Sequence, residues 1–191
     1  MNPFCFVMSA RILLIPLGPV DSLVLKAMSH TLAERLPVTA DVLNPESLPA
    51  RALDPERDQY NSSLILDDQS VRSQPDSDRS FRLLVTDADL YAKGMNFVFG
   101  QADPASRTAV ISLARLREEF YGRRANQRKL EERAAKEALH ELGHLFGLGH
   151  CSNPGCVMFF SNRLEDTDRK PADFCPGCRR MLPSGINRNR R

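Results

Sequence analysis

The chain predicts an α+β domain with an α/β-type upper part, and three stretches carry that expectation. An apolar run too short for a helix, residues 10–17, leads into a helical repeat and then an alternating segment, which makes a strand–helix–strand opening with a right-handed crossover. Segments 96–102 and 108–114 are strand-like and joined by a short hop, so that pair is antiparallel. A long amphipathic stretch, 123–146, ends in closely spaced histidines.

Taken in order, residues 10–17 (ARILLIPL) are a buried strand stopped by Gly18 and Pro19. Helix 20–36 follows, with Asp21 as cap, Pro37 as stop and Val20, Leu23, Leu25, Met28, Leu32 and Leu36 on a helical period. His30 within it is expected at the surface or its boundary rather than as a ligand. Residues 38–43 alternate as a strand. Residues 44–80, rich in proline, aspartate and serine, are expected to be loop apart from a short helix at 60–67. Segment 81–90 is a third strand ending in Asp87 and Asp89, which are expected to bind loop backbone rather than magnesium. Gly100 inside strand 96–102 suggests an edge where another backbone comes close. Helix 123–146 buries Leu130, Ala134, Ala138, Leu142 and Leu145 and exposes a charged face.

Composition supports one globular domain: 191 residues, 42% apolar and 26% charged, with a net charge of +2 that argues for no particular partner. No apolar run reaches membrane-spanning length. The apolar start lacks a basic region ahead of it, so no secretion signal is expected, and Met8 is an alternative start to Met1. A reducing, cytoplasmic compartment follows, in which cysteines serve metals more often than disulfides. The basic tail 183–191 is expected to fray, with nucleic-acid contact the lesser alternative. Neither nucleic acid nor membrane is expected as a partner, and the chain is expected to be monomeric.

The chemistry concentrates at residues 140–158. His140 and His144 stand four apart on a helix, so both imidazoles share one face and can share one divalent metal, zinc above all. Glu141 is placed to take a proton from a water held there. His150 cannot lie on the same straight helix, so Gly147, which tolerates positive φ, ends the helix and swings His150 back as a third ligand. Three nitrogens leave a fourth position open, as in a catalytic zinc site. Met158 would be an apolar floor beneath the imidazoles or a core methionine.

Cys151, Cys156, Cys175 and Cys178 form two close pairs across an 18-residue gap, the spacing of a closed structural zinc site. Two disulfides or a redox Cys-x-x-Cys are the alternatives; the redox one is weakened because Cys175 opens no evident helix after a β-strand. The residues after the metal helix carry little apolar surface, and a structural metal would supply their fold energy. It would sit beside the catalytic one and hold His150 in place. Cys5 is left over as a free or buried thiol.

From His140 to Cys178 the residues resemble the archaemetzincins, within the metzincin clan of zinc peptidases. The histidine motif runs directly into C-x4-C-x-M and a later C-x-x-C, and Gln59-Tyr60-Asn61-Ser62 and Asn96-Phe97-Val98-Phe99-Gly100 are also similar. The resemblance implies a metzincin-like twisted, mixed five-stranded sheet with one antiparallel edge strand, here 96–102. There Phe97, Val98, Phe99 and Gly100 would bind an extended peptide by strand addition. It implies a methionine turn at Met158 and two Zn2+ ions per chain, one catalytic and one structural. One catalytic domain, 1–191, would divide into an upper part, 8–147, and a smaller zinc-stapled part, 148–191. Some metzincins carry a tyrosine two residues after that methionine; here Phe160 stands there and offers no phenol. The expected activity is zinc-dependent peptide-bond hydrolysis with Glu141 as general base. The alternatives are a zinc-binding interaction protein with weak or latent chemistry, and a redox protein using Cys175 and Cys178.

Overall fold

The computed structural model describes residues 10–72 and 80–186. Cys5, both candidate start methionines and residues 187–191 of the tail lie outside them. Strand β1 (Ala10–Leu17) leads into α1 (Ser22–Arg35), which Asp21 caps by accepting the Leu23 N–H at 2.8 Å. Strand β2 (Val38–Val42) then returns parallel to β1. The buried stripe of α1 is Val24, Leu25, Met28 and Leu32, whereas Leu23, expected inside, is exposed. His30 is exposed and pairs with Glu34 one turn on.

Residues 44–72 hold more structure than expected. Strands β3 (Leu53–Asp54) and β4 (Gln59–Asn61) precede helix α2 (Ser62–Arg72), two residues later and longer than the segment expected at 60–67. Strand β5 (Phe81–Thr86) stops short of residue 90. The Thr86 hydroxyl donates to Leu17 O and accepts the Ala88 N–H, which turns the chain out of the sheet. Strand β6 (Leu90–Tyr91) joins β3 and β4 in a small separate sheet of order β3-β4-β6. Strands β7 (Gly100–Asp103) and β8 (Thr108–Ser112) are antiparallel, as expected, but the fourth main-sheet strand starts at Gly100, not at Asn96. The reason is local. Val98 N–H bonds Leu90 O, and Asn96 O accepts from Arg57 and Gln59, so this backbone is spent on the small sheet's side.

The main sheet has the order β2-β1-β5-β8-β7, four parallel strands with β7 as antiparallel edge. Period-two alternation sorts its side chains between two cores. Ile12, Leu14, Leu83, Val85, Ala109 and Ile111 face α1 and helix α3 (Gln127–Leu145). Ile15, Leu17, Leu84 and Val110 face α2 through Ile65 and Leu66. Helix α3 begins at Gln127 rather than 123, because Asn126 caps it by accepting the Lys129 N–H. Helices α4 (Leu164–Arg169) and α5 (Pro176–Met181) complete the chain. Their segment buries more apolar surface than its composition suggests: Val157, Met158, Leu164, Phe174 and Leu182 join the main core. Among the described residues no helix is long and apolar enough to cross a membrane.

Candidate metal centre and cleft

The last two turns of α3 supply His140, Glu141 and His144. The helix stops where Gly147 takes φ +89°, a region open to glycine at little cost. Its N–H bonds His144 O, and the Leu148 N–H bonds Gly143 O, so the carbonyls of the last turn are satisfied. The reversal carries His150 back over the helix end. Its ring lies 5.3 Å from that of His140 and 4.8 Å from that of His144, centroid to centroid. The metal-ligating atoms of the three histidines all fall within 4.8 Å of one another.

The tautomers follow from the backbone. His140 Nδ1–H donates to Val157 O and His144 Nδ1–H to Leu148 O, each at 2.8 Å. Both Nε2 atoms therefore carry lone pairs, and these two atoms face one another at 3.2 Å. Two zinc-bound nitrogens at tetrahedral angle stand about 3.3–3.4 Å apart, so the spacing and the donor set suit such an ion. Burial pushes His140 down to about 4, with the Lys170 charge adding to it, and lowers His144 and His150 in the same sense. All three rings thus favour the neutral form, the one in which an imidazole can bind a metal.

Glu141 is buried, and burial together with the Glu137 charge pushes its carboxyl well above the usual carboxylate range. It lines a cleft of about 910 Å³ with the three histidines, Phe97, Val98, Phe99, Gly100 and Phe160. Val98 and Phe99 are largely buried in the two cores. The ring of Phe160 lies 4.7 Å from that of His150. Met158 is fully buried under the helix, and a Cβ on Gly143 would collide with its Sδ. The glycine is the notch that admits this floor. At Gly100 the close neighbour is the Glu141 side chain, not a backbone as expected.

Cys151, Cys156, Cys175 and Cys178 are free thiols whose Sγ atoms all lie within 4.8 Å of one another. Cys151 and Cys175 are 4.0 Å apart, close to the ~3.8 Å edge of a zinc–thiolate tetrahedron and far from the ~2.05 Å of a disulfide. Backbone N–H groups of Asn153, Cys175 and Cys178 point at sulfurs of the cluster. Cys175 caps α5, but no β-strand leads into that helix, and the Cys178 N–H holds its thiol down to about 7. The cluster is tied to the histidines, because Cys151 N–H bonds Met158 O.

Asp87 and Asp89 are not brought to the cleft chemistry; they pair with Arg117 at 2.6 Å and Arg115 at 2.8 Å. Sequence reading missed a buried polar seam along α3. Arg133 bridges Glu118 (2.7 Å) and Asp168 (2.7 Å), and Glu137 pairs with the fully buried Lys170 at 3.0 Å while accepting from the Thr167 hydroxyl. The partners lie 30 or more positions apart, or outside the helix, so no local spacing signals them. Gln59 and Ser62, singled out with the similar stretch near 60, are buried bridging residues. Gln59 donates to Asp89, and Ser62 donates to Tyr91 O.

The profile of peptidase family M54 matches residues 52–184. The chain belongs to peptidase family M54. It is similar to the archaemetzincin of Pyrococcus furiosus, 40% identical over 95% of this chain and 96% of the relative. A shorter match, 58% identical, takes in 51% of this chain and about half, 53%, of the Thermococcus kodakarensis archaemetzincin. A solved structure described as a zinc-dependent peptidase from Methanocorpusculum labreanum aligns at 35% identity and TM-score 0.83, over 90% of this chain and 100% of that one. The mixed α/β fold and the enzyme class expected from the sequence, an archaemetzincin-like peptidase, therefore hold.

Proposed function

We propose that the protein is a zinc-dependent metallopeptidase in which His140, His144 and His150 hold the catalytic ion and Glu141 is the general base. The observation that carries this reading is the pair of Nε2 lone pairs facing at 3.2 Å, with both Nδ1–H groups already committed to carbonyls. Such an arrangement repels itself unless a cation lies between the nitrogens. A zinc ion so held would acidify a water toward about 7 and polarise a carbonyl.

The chain's own residues do the rest. The Val157 and Leu148 carbonyls fix the imidazole tautomers. Glu141 takes the proton of the attacking water at its carboxylate and passes it to the leaving amine. The free edge of β7, Gly100–Asp103, receives an extended peptide or protein substrate by strand addition. Phe97 and Phe160 wall the cleft and exclude water. Met158 is the floor of the methionine turn. The four cysteines hold a second, structural zinc that fixes the lower part, residues 148–191, against an upper part, 8–147. Four thiolates suit a reducing, cytoplasmic compartment, and the chain acts as a monomer.

The test is zinc-loaded Glu141→Ala against a peptide library read by mass spectrometry. Zinc content should hold while turnover falls by about 10²–10⁴. Full activity in that variant overturns the base assignment. A wild-type chain that binds peptides and cleaves none favours the interaction-protein reading instead.

A further inference from the structure

Gly100 is a glycine that its backbone does not require. It opens β7 in register with Ile111, and its φ is not among the positive values that Gly18, Gly94, Gly122 and Gly147 adopt. Glycine inside a strand loses more entropy on ordering than alanine and packs nothing. Space explains it instead. A Cβ built on Gly100 would stand 2.6 Å from Glu141 Oε1, 2.8 Å from its Cγ and 2.9 Å from its Cδ. At Gly18, Gly94, Gly122 and Gly147 a Cβ would meet nothing within 4 Å.

The conflict does not lie at the tip of a free side chain. Three successive atoms of Glu141, back to Cγ, are too close, so rotating the carboxylate about its last bond leaves the clash in place. The side chain would have to leave its rotamer, and Glu141 is only 4% exposed, with His140, Gly100 and Glu137 around the same cleft wall. Interiors this close-packed give way by displacement rather than compression.

We propose that Gly100 is the positioning residue for Glu141: the edge strand sets the place of the carboxylate by omitting a side chain. The inference rests on Glu141 being the base and adds what holds it. It also makes one short element responsible for two tasks, since the strand proposed to carry the substrate backbone is in contact with the group that moves the proton. Substrate register and base position are then set by the same residues.

Two measurements on zinc-loaded protein test this. In the first, Gly100→Ala should lower kcat at least about 100-fold, the cost of an ångström-scale misplacement, with KM within about threefold and zinc content unchanged. A kcat within threefold of wild type overturns the proposal. The second needs no activity. Gly100→Ala should lower the Tm by several degrees in the wild-type background and by none in the Glu141→Ala background, where no Cγ or carboxylate remains to collide. Equal Tm losses in both backgrounds overturn the proposal even if kcat falls, because the damage would then not run through Glu141. A wild-type chain that cleaves no peptide defeats the peptidase reading, while the melting comparison still decides whether Gly100 positions this side chain.

Discussion

The sheet and the segment that follows α3 are stabilised by different physics. The sheet buries apolar side chains on both faces: Ile12, Leu14, Leu83 and Val85 on one, Ile15 and Leu84 on the other. Its backbone polar groups are paired in ladders. The segment from Leu148 to Ile186 has two six-residue helices and no main-sheet strand. A strip of apolar residues reaches the core, but the rest is held by point attachments to α3. These are the Arg133–Asp168 and Glu137–Lys170 pairs and the Lys136 ammonium on the carbonyls of Thr167 and Asp168, while the cluster of four thiols gathers the segment upon itself. A core of hydrocarbon is insensitive to pH and chelators. A segment fixed by charges and sulfur is sensitive to both, and the candidate active site sits on the seam.

The largest effect should come from removing the zinc proposed for the four cysteines. Chelation, or Cys156→Ser, should remove amide-exchange protection across 151–181 while β1 and β5 stay protected, since a structural zinc contributes on the order of 10 kcal/mol in small sites. Equal loss in both regions would erase the contrast. Next comes Lys170→Met, which leaves Glu137 buried without its partner and should cost about 3–5 kcal/mol in urea unfolding. Replacing both, Lys170→Met with Glu137→Leu, should recover most of it, since the two desolvation costs disappear together. Gly143→Ala should cost about 1–3 kcal/mol, because Met158 must move from the notch under the helix. In a Met158→Ala background most of that cost should vanish, leaving only a tight fit against the Phe174 ring.

Acid should act most gradually. His140 is held down to about 4, below its ordinary 6.5, so its neutral form is favoured in the fold. As pH falls from 6.5 toward 4 the unfolded chain gains a proton that the folded metal-free chain refuses, and stability declines in that window. Glu118, held down to about 2 chiefly by hydrogen bonds from Lys129 and Arg133, contributes stability above 4.5 that is lost as pH falls through 2. Urea midpoints from pH 7 to 2 should show both windows, and Glu118→Gln should shrink the lower one, to which Asp168 and Glu137, also held low, still contribute.

Much of the site was legible because its parts are close in sequence. His140, Glu141 and His144 share one helix face by periodicity, Gly147 announces its reversal, and the cysteine pairs declare their grouping by spacing. Strands β1 and β8 and the buried stripe of α3 were legible for the same reason, since period and length are local properties. The misses are of another kind. Asn96–Phe99 looks like a strand, yet Arg57, Gln59 and Leu90, none of them neighbours in sequence, claim its backbone. Leu23 fits the α1 period and still faces solvent, because the orientation of the helix on the sheet selects Val24.

The sequence by itself determined the candidate ligand types, their spacing, the helix that carries two of them and the order of the main secondary elements, because these follow from short-range geometry and backbone conformation. Only the tertiary structure decided that Val157 and Leu148 fix the ring tautomers, that Lys170 lies buried against Glu137, and that Gly100 and Gly143 yield space to Glu141 and Met158. Each of those is a contact between residues whose separation in the chain says nothing of their distance. Close packing chooses such partners only once the whole fold has formed.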